Sequence, residues 1–164
     1  GDAKKVAVAG ESAGGNLATN VSMMARDKGI MVPVHQLLVY PVAGSDMENE
    51  SYKKYADAKP LNKKVMQWFV KNYLNNMNEA KSPMISLVNA NLKGLPATTI
   101  ICAEIDPLQS EGKLLSEKLK AAGINVSMKL YEGVTHEFFG MAAVVPQAKE
   151  AQAYAAEQLK AAFK

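Results

Sequence analysis

The stretch Lys4-Lys5-Val6-Ala7-Val8-Ala9-Gly10-Glu11-Ser12-Ala13-Gly14-Gly15-Asn16-Leu17-Ala18 decides the fold. Residues 4–9 read as a short buried strand, since a brief apolar run bounded by turn residues suits a strand covered on both faces. The Gly-Glu-Ser-Ala-Gly-Gly segment is a turn. Leu17, Val21 and Met24 then recur at helical spacing, which predicts a helix to about Lys28, capped by Gly29.

Outward from this unit the alternation continues. His35 to Tyr40 reads as a second strand stopped by Pro41, and Thr98 to Ala103 as a third, rich in β-branched residues. Leu108 to Ala122 is a helix capped by Gly123, and Val126 to Tyr131 a fourth strand. Pro146 opens a last helix with Ala148, Ala151, Ala155, Leu159 and Ala162 on one face; proline suits the first helical position because its missing N–H has no partner there. The stretch from Ala43 to about Leu95 is polar and rich in Lys and Asn. Within it Asn62 is placed to cap a helix carrying Leu61, Val65, Trp68, Phe69 and Tyr73. The order β-α-β-(insert)-β-α-β-α implies an α/β fold, a parallel sheet flanked by helices. Its first apolar strand is expected to sit inside a larger sheet, because an exposed apolar edge invites aggregation.

The composition narrows the function classes. A chain of 164 residues with 48% hydrophobic and 21% charged side chains suits one globular domain and excludes disorder. The net charge is only +3, Arg26 is the sole arginine and the lysines are scattered, so no nucleic-acid surface is expected. Cys102 stands alone, which excludes an internal disulfide and a multi-cysteine metal site. It reads as a small buried hydrophobe. No apolar run is long enough to span a membrane. The start has no signal-peptide layout, which points to the cytoplasm by default and to export if an upstream signal was removed.

Gly10-Glu11-Ser12-Ala13-Gly14 fits G-x-S-x-G between strand and helix, the setting of a nucleophile elbow. Gly10 and Gly14 are read as small because side chains there would meet strand and helix. The Ala13 amide, at a helix N-terminus, is the expected oxyanion donor. A phosphate-binding turn would need G-x-G-x-x-G or a Gly-Lys-Ser/Thr ending, and neither is present. Of two histidines, His35 precedes a strand and reads as structural or surface. His136 follows the fourth strand in Gly133-Val134-Thr135-His136-Glu137-Phe138-Phe139-Gly140; a zinc H-E-x-x-H fails because position 140 is glycine. Asp106 follows the third strand and by itself would be a helix cap. Together Ser12, Asp106 and His136 end three strands at the same relative place, where open α/β sheets put their sites. Their chain order is the one associated with the α/β-hydrolase triad.

With these motifs in place, the chain resembles the hormone-sensitive-lipase-like branch of the α/β-hydrolases. The resemblance rests on Val6 to Ala18, on Asp106-Pro107-Leu108 with Glu111-Gly112, and on His136-Glu137-Phe138. It implies a carboxylesterase acting on short acyl esters without cofactor or metal: Ser12 as nucleophile, His136 as acid/base, Asp106 as its orienter. Glu11 stands where the family often has aspartate. The family's His-Gly-Gly-Gly oxyanion loop has no counterpart here. Residues 1–164 are therefore expected to be the C-terminal half of the catalytic domain, with 45–91 as a partial helical cap. Such a half is expected to pair with an upstream fragment or a second copy, and to turn over slowly alone. Trp68 and Phe69 are read as helix core in preference to an acyl pocket, so substrate-binding residues stay unassigned. Glu111 reads equally as a brace for the Asp106 turn or as solvent-facing. The competing functions are a prolyl-oligopeptidase-like serine peptidase, whose motif usually has an aromatic residue where Ala13 stands, and a non-catalytic binding module, which typically lacks a triad member.

Overall fold

The computed structural model describes residues 1–164. Four parallel strands, β1 (Ala7–Glu11), β2 (His35–Val39), β3 (Ala97–Ile105) and β4 (Val126–Thr135), lie side by side in chain order. Five helices connect or follow them: α1 (Ala13–Asp27), α2 (Glu50–Lys54), α3 (Lys63–Tyr73), α4 (Gln109–Ala121) and α5 (Pro146–Ala162). No helix is long and apolar enough to cross a membrane. The first strand begins three residues later than its apolar run suggested, and β3 and β4 run past their expected ends to Ile105 and Thr135. Those extensions deliver Asp106 and His136 directly off strand ends. The β3–β4 register shifts between Ala103 and Ile105, just ahead of Asp106, an irregularity of the kind that re-aims a side chain.

Alternating strand residues divide the core into two layers. Leu38, Ile100 and Cys102 pack with Ala18 and Met23 of α1 and Leu115 and Leu119 of α4. Leu37, Val39, Ile101 and Ala103 pack on the opposite face against Ala148, Ala151 and Ala155 of α5. Every residue of β2 is buried, as expected of a strand covered on both faces.

The insert holds α2, α3 and two short 3-10 turns, Met77–Lys81 and Leu87–Asn89. Asn62 caps α3 as expected, its side chain accepting from the Val65 N–H at 3.0 Å. Met66 alone is buried in α3, whereas Trp68 is 61% exposed and Phe69 49%. The helix-core reading of those two aromatics is therefore overturned. Only one edge of the helix meets the body, through the cluster of Tyr52, Leu61, Met66 and Leu108.

The apolar stripe that marked α1 also points outward: Leu17, Val21 and Met24 are about half exposed. Small and polar residues, among them Gly15, Ala18, Thr19 and Ser22, face the sheet instead. At its first turn the helix lies too close to the chain beneath it for larger side chains, and Met23 further along is the one large residue on the buried side. A Cβ on Gly15 would come within 2.8 Å of the Pro41 Cβ, and one on Gly10 within 2.1 Å of the Gly14 carbonyl oxygen. Gly14 itself has open space around it, so the expectation that it is small to avoid a clash is corrected; the second tight position is Gly15. Between them Ser12 adopts φ 54°, ψ −121°, a sparsely populated region that persists only when its surroundings fix it. They do so here: the Ser12 N–H donates to the Val39 carbonyl at 2.9 Å, and the Ser12 carbonyl accepts from Val42 N–H at 3.0 Å and Gly15 N–H at 3.1 Å. Overpacking costs about 1–3 kcal/mol, and a helical Gly→Ala gains about 1 kcal/mol where nothing clashes. In urea unfolding, Gly10→Ala and Gly15→Ala are expected to lower stability by roughly 2 kcal/mol each, while Gly14→Ala is neutral or stabilising.

Candidate active site

The C-terminal ends of three strands bring Ser12, Asp106 and His136 into contact. The Ser12 Oγ lies 3.0 Å from His136 Nε2, and His136 Nδ1 lies 2.7 Å from Asp106 Oδ2. The second Asp106 oxygen accepts from the Leu108 N–H at 2.9 Å. Asp106 and His136 are buried, with 0% and 2% exposure. A carboxylate only accepts, so Asp106 favours the tautomer with the proton on Nδ1 and leaves Nε2 free to accept from the Ser12 hydroxyl. Ala13 opens α1, and its amide belongs to the first turn, whose N–H groups no helix carbonyl can satisfy.

His35 is elsewhere. It begins β2, at the far end of the sheet, buried with Nε2 2.9 Å from Thr99 Oγ1; burial lowers its pKa. It is structural, one of the two readings made of it.

Several residues around the site escaped sequence reasoning. Tyr40 follows β2 at φ 35°, and its ring centroid lies 4.4 Å from that of His136. Its hydroxyl donates to Glu11 Oε2 at 2.8 Å. Burial, and then the Glu11 bond, raise the phenol pKa, so it remains a donor. The one signal in the sequence was position: Tyr40 ends its strand where Ser12, Asp106 and His136 end theirs. Glu137, also at positive φ (72°), holds a half-exposed carboxylate 3.6 Å from His136 Nε2. The three non-glycine residues at positive φ, Ser12, Tyr40 and Glu137, thus all flank this site, where backbone strain tends to concentrate.

The insert is tied to the same place. Ser51 Oγ donates to the Pro107 carbonyl at 2.6 Å and accepts from Ser110 N–H at 3.0 Å. Asn16 Nδ2 donates to the Val42 and Ile85 carbonyls, and Asn20 Nδ2 to that of Met84. Between α1 and α3 runs an apolar groove of about 280 Å³ that opens on Ser12; Leu17, Met66, Phe69, Tyr73 and Ile85 contribute its walls. A polar cleft of about 220 Å³ bounded by Lys54, Glu104 and Lys113 includes none of the three converging residues.

Truncating a buried aromatic costs about 3–5 kcal/mol, whereas removing one hydrogen bond costs about 1–2 kcal/mol. Tyr40→Ala is therefore expected to lower the urea midpoint far more than Tyr40→Phe, and to broaden the His136 ring resonances that Tyr40→Phe leaves sharp.

Comparison with known proteins agrees with this fold. Residues 1–140 match the family model described as the alpha/beta hydrolase fold. The chain is 37% identical to the carboxylesterase NlhH of Mycobacterium tuberculosis over 167 residues, covering 99% of this chain and 52% of that protein. It is 30% identical to an ethyl acetate hydrolase of Pseudomonas putida, covering 97% of this chain and 51% of that protein. Among solved structures, a hyperthermophilic esterase from Pyrobaculum calidifontis superposes with a TM-score of 0.93 at 35% identity, over 99% of this chain and 55% of that one. A thermostable carboxylesterase cloned from a metagenomic library gives 0.94 at 34%, over 98% and 56%. The chain spans about half the length of the curated relatives it matches. With its three motifs meeting at one end of a parallel sheet, the chain belongs to the α/β-hydrolase fold family, as a hormone-sensitive-lipase-like member.

Proposed function

We propose that this chain carries the acyl-transfer centre of a serine carboxylesterase acting on small esters with short acyl chains. The observation that carries the reading is the continuous line from Ser12 Oγ through His136 to Asp106, with contacts of 3.0 and 2.7 Å. Relatives named for ester hydrolysis support ester over amide substrates. Ser12 attacks the ester carbonyl carbon while His136 Nε2 takes the hydroxyl proton. The imidazolium forms between Asp106 and the nearby Glu137 carboxylate, both favouring positive charge. Negative charge on the former carbonyl oxygen meets the Ala13 amide. His136 returns its proton to the leaving alcohol, then draws one from water as that water attacks the acyl-enzyme. No step calls for a metal or cofactor.

The groove beside Ser12 is the proposed acyl site, and residues 45–91, whose α3 forms one wall, the proposed cap. The unpaired outer edge of β1 and the exposed stripe Leu17, Val21 and Met24 support a further proposal: the working enzyme includes additional polypeptide packed there. Ala13 is one oxyanion donor, and each donor is worth about 10²–10³ in turnover. The 164 residues assayed alone are accordingly expected to hydrolyse p-nitrophenyl acetate slowly.

Two measurements test the reading. Phosphonate labelling is expected at Ser12 and absent from Ser12→Ala; labelling that survives in the variant overturns the assignment. Each buried methylene contributes about 0.8 kcal/mol, so kcat/KM is expected to rise roughly 4-fold per carbon from acetyl to butyryl esters. Phe69→Ser should flatten that series while leaving acetyl turnover near its starting value.

A further inference from the structure

Glu111 sits in the first turn of α4, five residues after Asp106, and is 3% exposed. Its Oε1 accepts from the Ala43 N–H at 2.8 Å, while its Oε2 makes no full hydrogen bond and has only the weaker pull of the neighbouring Gly44 amide on the carboxyl. It makes no salt bridge. The ionisable groups facing it are Asp106 on its own turn, Asp46 on the segment after β2, and the buried Tyr52 phenol of α2. All three are acids, so ionisation would bury a negative charge with no cation beside it and only the Ala43 and Gly44 amides to offset the cost. A neutral carboxyl leaves one hydroxyl unpartnered, a far smaller penalty than an unpaired buried charge.

The place of the contact matters as much as its chemistry. Ala43 follows Val42, whose N–H donates to the Ser12 carbonyl and whose carbonyl accepts from Asn16. The Glu111 carboxyl thus joins the helix that begins beside Asp106 to the segment that fixes the Ser12 elbow. Gly44 leaves room for it: a Cβ there would lie 3.3 Å from the Glu111 Cβ.

We propose that Glu111 is a positioning residue that works as a neutral carboxylic acid, tying the Asp106 turn to the Ser12 elbow through Ala43. Its value to the reaction rests on the esterase reading above; its protonation and its effect on Asp106 and His136 do not. Burial pushes the Glu111 carboxyl from its ordinary 4.5 up to about 8, against the pull of the Ala43 and Gly44 amides, with Asp106 and Asp46 adding to the rise. Between those two values the folded chain keeps a proton that the unfolded chain has lost. Stability attributable to this group is therefore intact below about pH 4.5, falls as pH rises, and reaches its low plateau above about pH 8.

The experiment compares the full chain with Glu111→Gln and Glu111→Ala across ~pH 6 to ~pH 10. Readouts are urea stability, the infrared band of a protonated carboxyl, and the low-field NMR signal of the His136 Nδ1 proton shared with Asp106. In the wild type the infrared band is expected to vanish as pH passes about 8, with no such band assignable to Glu111 in Glu111→Gln. Glu111→Gln keeps the acceptor for Ala43. It should match the wild-type Nδ1 signal near neutrality, hold it at higher pH, and show a flatter stability profile. Glu111→Ala should exchange the Nδ1 proton at least ~10-fold faster, since the strut is gone. A Glu111→Gln variant that loses the signal as Glu111→Ala does overturns the neutral form. An alanine variant indistinguishable from wild type overturns the positioning role. Should Glu111→Ala fail to fold, the Gln and wild-type profiles decide: coincident profiles overturn the proposal. Phosphonate labelling run in parallel separates the two readings, because a chain that never labels rejects the esterase while these signals still report on Glu111.

Discussion

Ser12 can present its hydroxyl only because the backbone around it is held from both sides in a conformation it would not choose. The Val39 carbonyl takes its N–H, and Val42 donates to its carbonyl. Both partners belong to β2 or the residues just beyond it, so the elbow is secured by the neighbouring strand as well as by its own loop. Parallel pairing of β1 with β2, Glu11 opposite Val39, sets that alignment. Had β2 slipped by one residue, its buried faces would exchange and the elbow would lose its partners. The tight packing of Gly10 and Gly15 follows from the same constraint, since α1 must start immediately above the segment that anchors Ser12.

Two buried carboxyls five residues apart are managed in opposite ways. Asp106 has both oxygens engaged, one by His136 and one by the Leu108 amide. Glu111 has one oxygen in a full hydrogen bond, only the weaker pull of the Gly44 amide besides, and no cation beside it. Burying a carboxyl without partners favours its neutral form, so the number of donors supplied by the fold sorts the pair into distinct roles. That contrast arises within a single strand-to-helix turn, braced from outside by Ser51 of α2.

The insert therefore does two things at once. Its α2 and Tyr52 dock on the Asp106–Leu108 turn, while its α3 supplies Met66 and Phe69 to the groove beside Ser12. Met66 belongs to both the docking cluster and the groove wall. A change in the groove is thereby mechanically connected to the turn that carries Asp106, through packed side chains that have little room to yield.

The sequence by itself determined the alternation of strands and helices, the elbow motif, and the three residues that meet at one end of the sheet. Those features are encoded within a few residues: Ser12 in its glycine setting, Asp106 before Pro107, His136 at the close of β4. It also determined that α1 is a helix, because periodicity is local. Only the tertiary structure decided which side of that helix is buried. Leu17, Val21 and Met24 carry the apolar spacing, yet the buried side is made of small and polar residues, among them Gly15, Ala18, Thr19 and Ser22, with Met23 the one large residue, because the close approach to Pro41 at Gly15 sets the helix tight against the chain. The same holds for Trp68, turned outward because α3 meets the body along one edge, for Phe69, half exposed on the wall of the groove beside Ser12, and for Tyr40, whose contact with His136 joins residues 96 positions apart in the chain (40 to 136). Glu111 was undecidable from sequence for a physical reason: whether a carboxyl is charged or neutral depends on its burial and on the donors around it, and both come from segments far away in the chain.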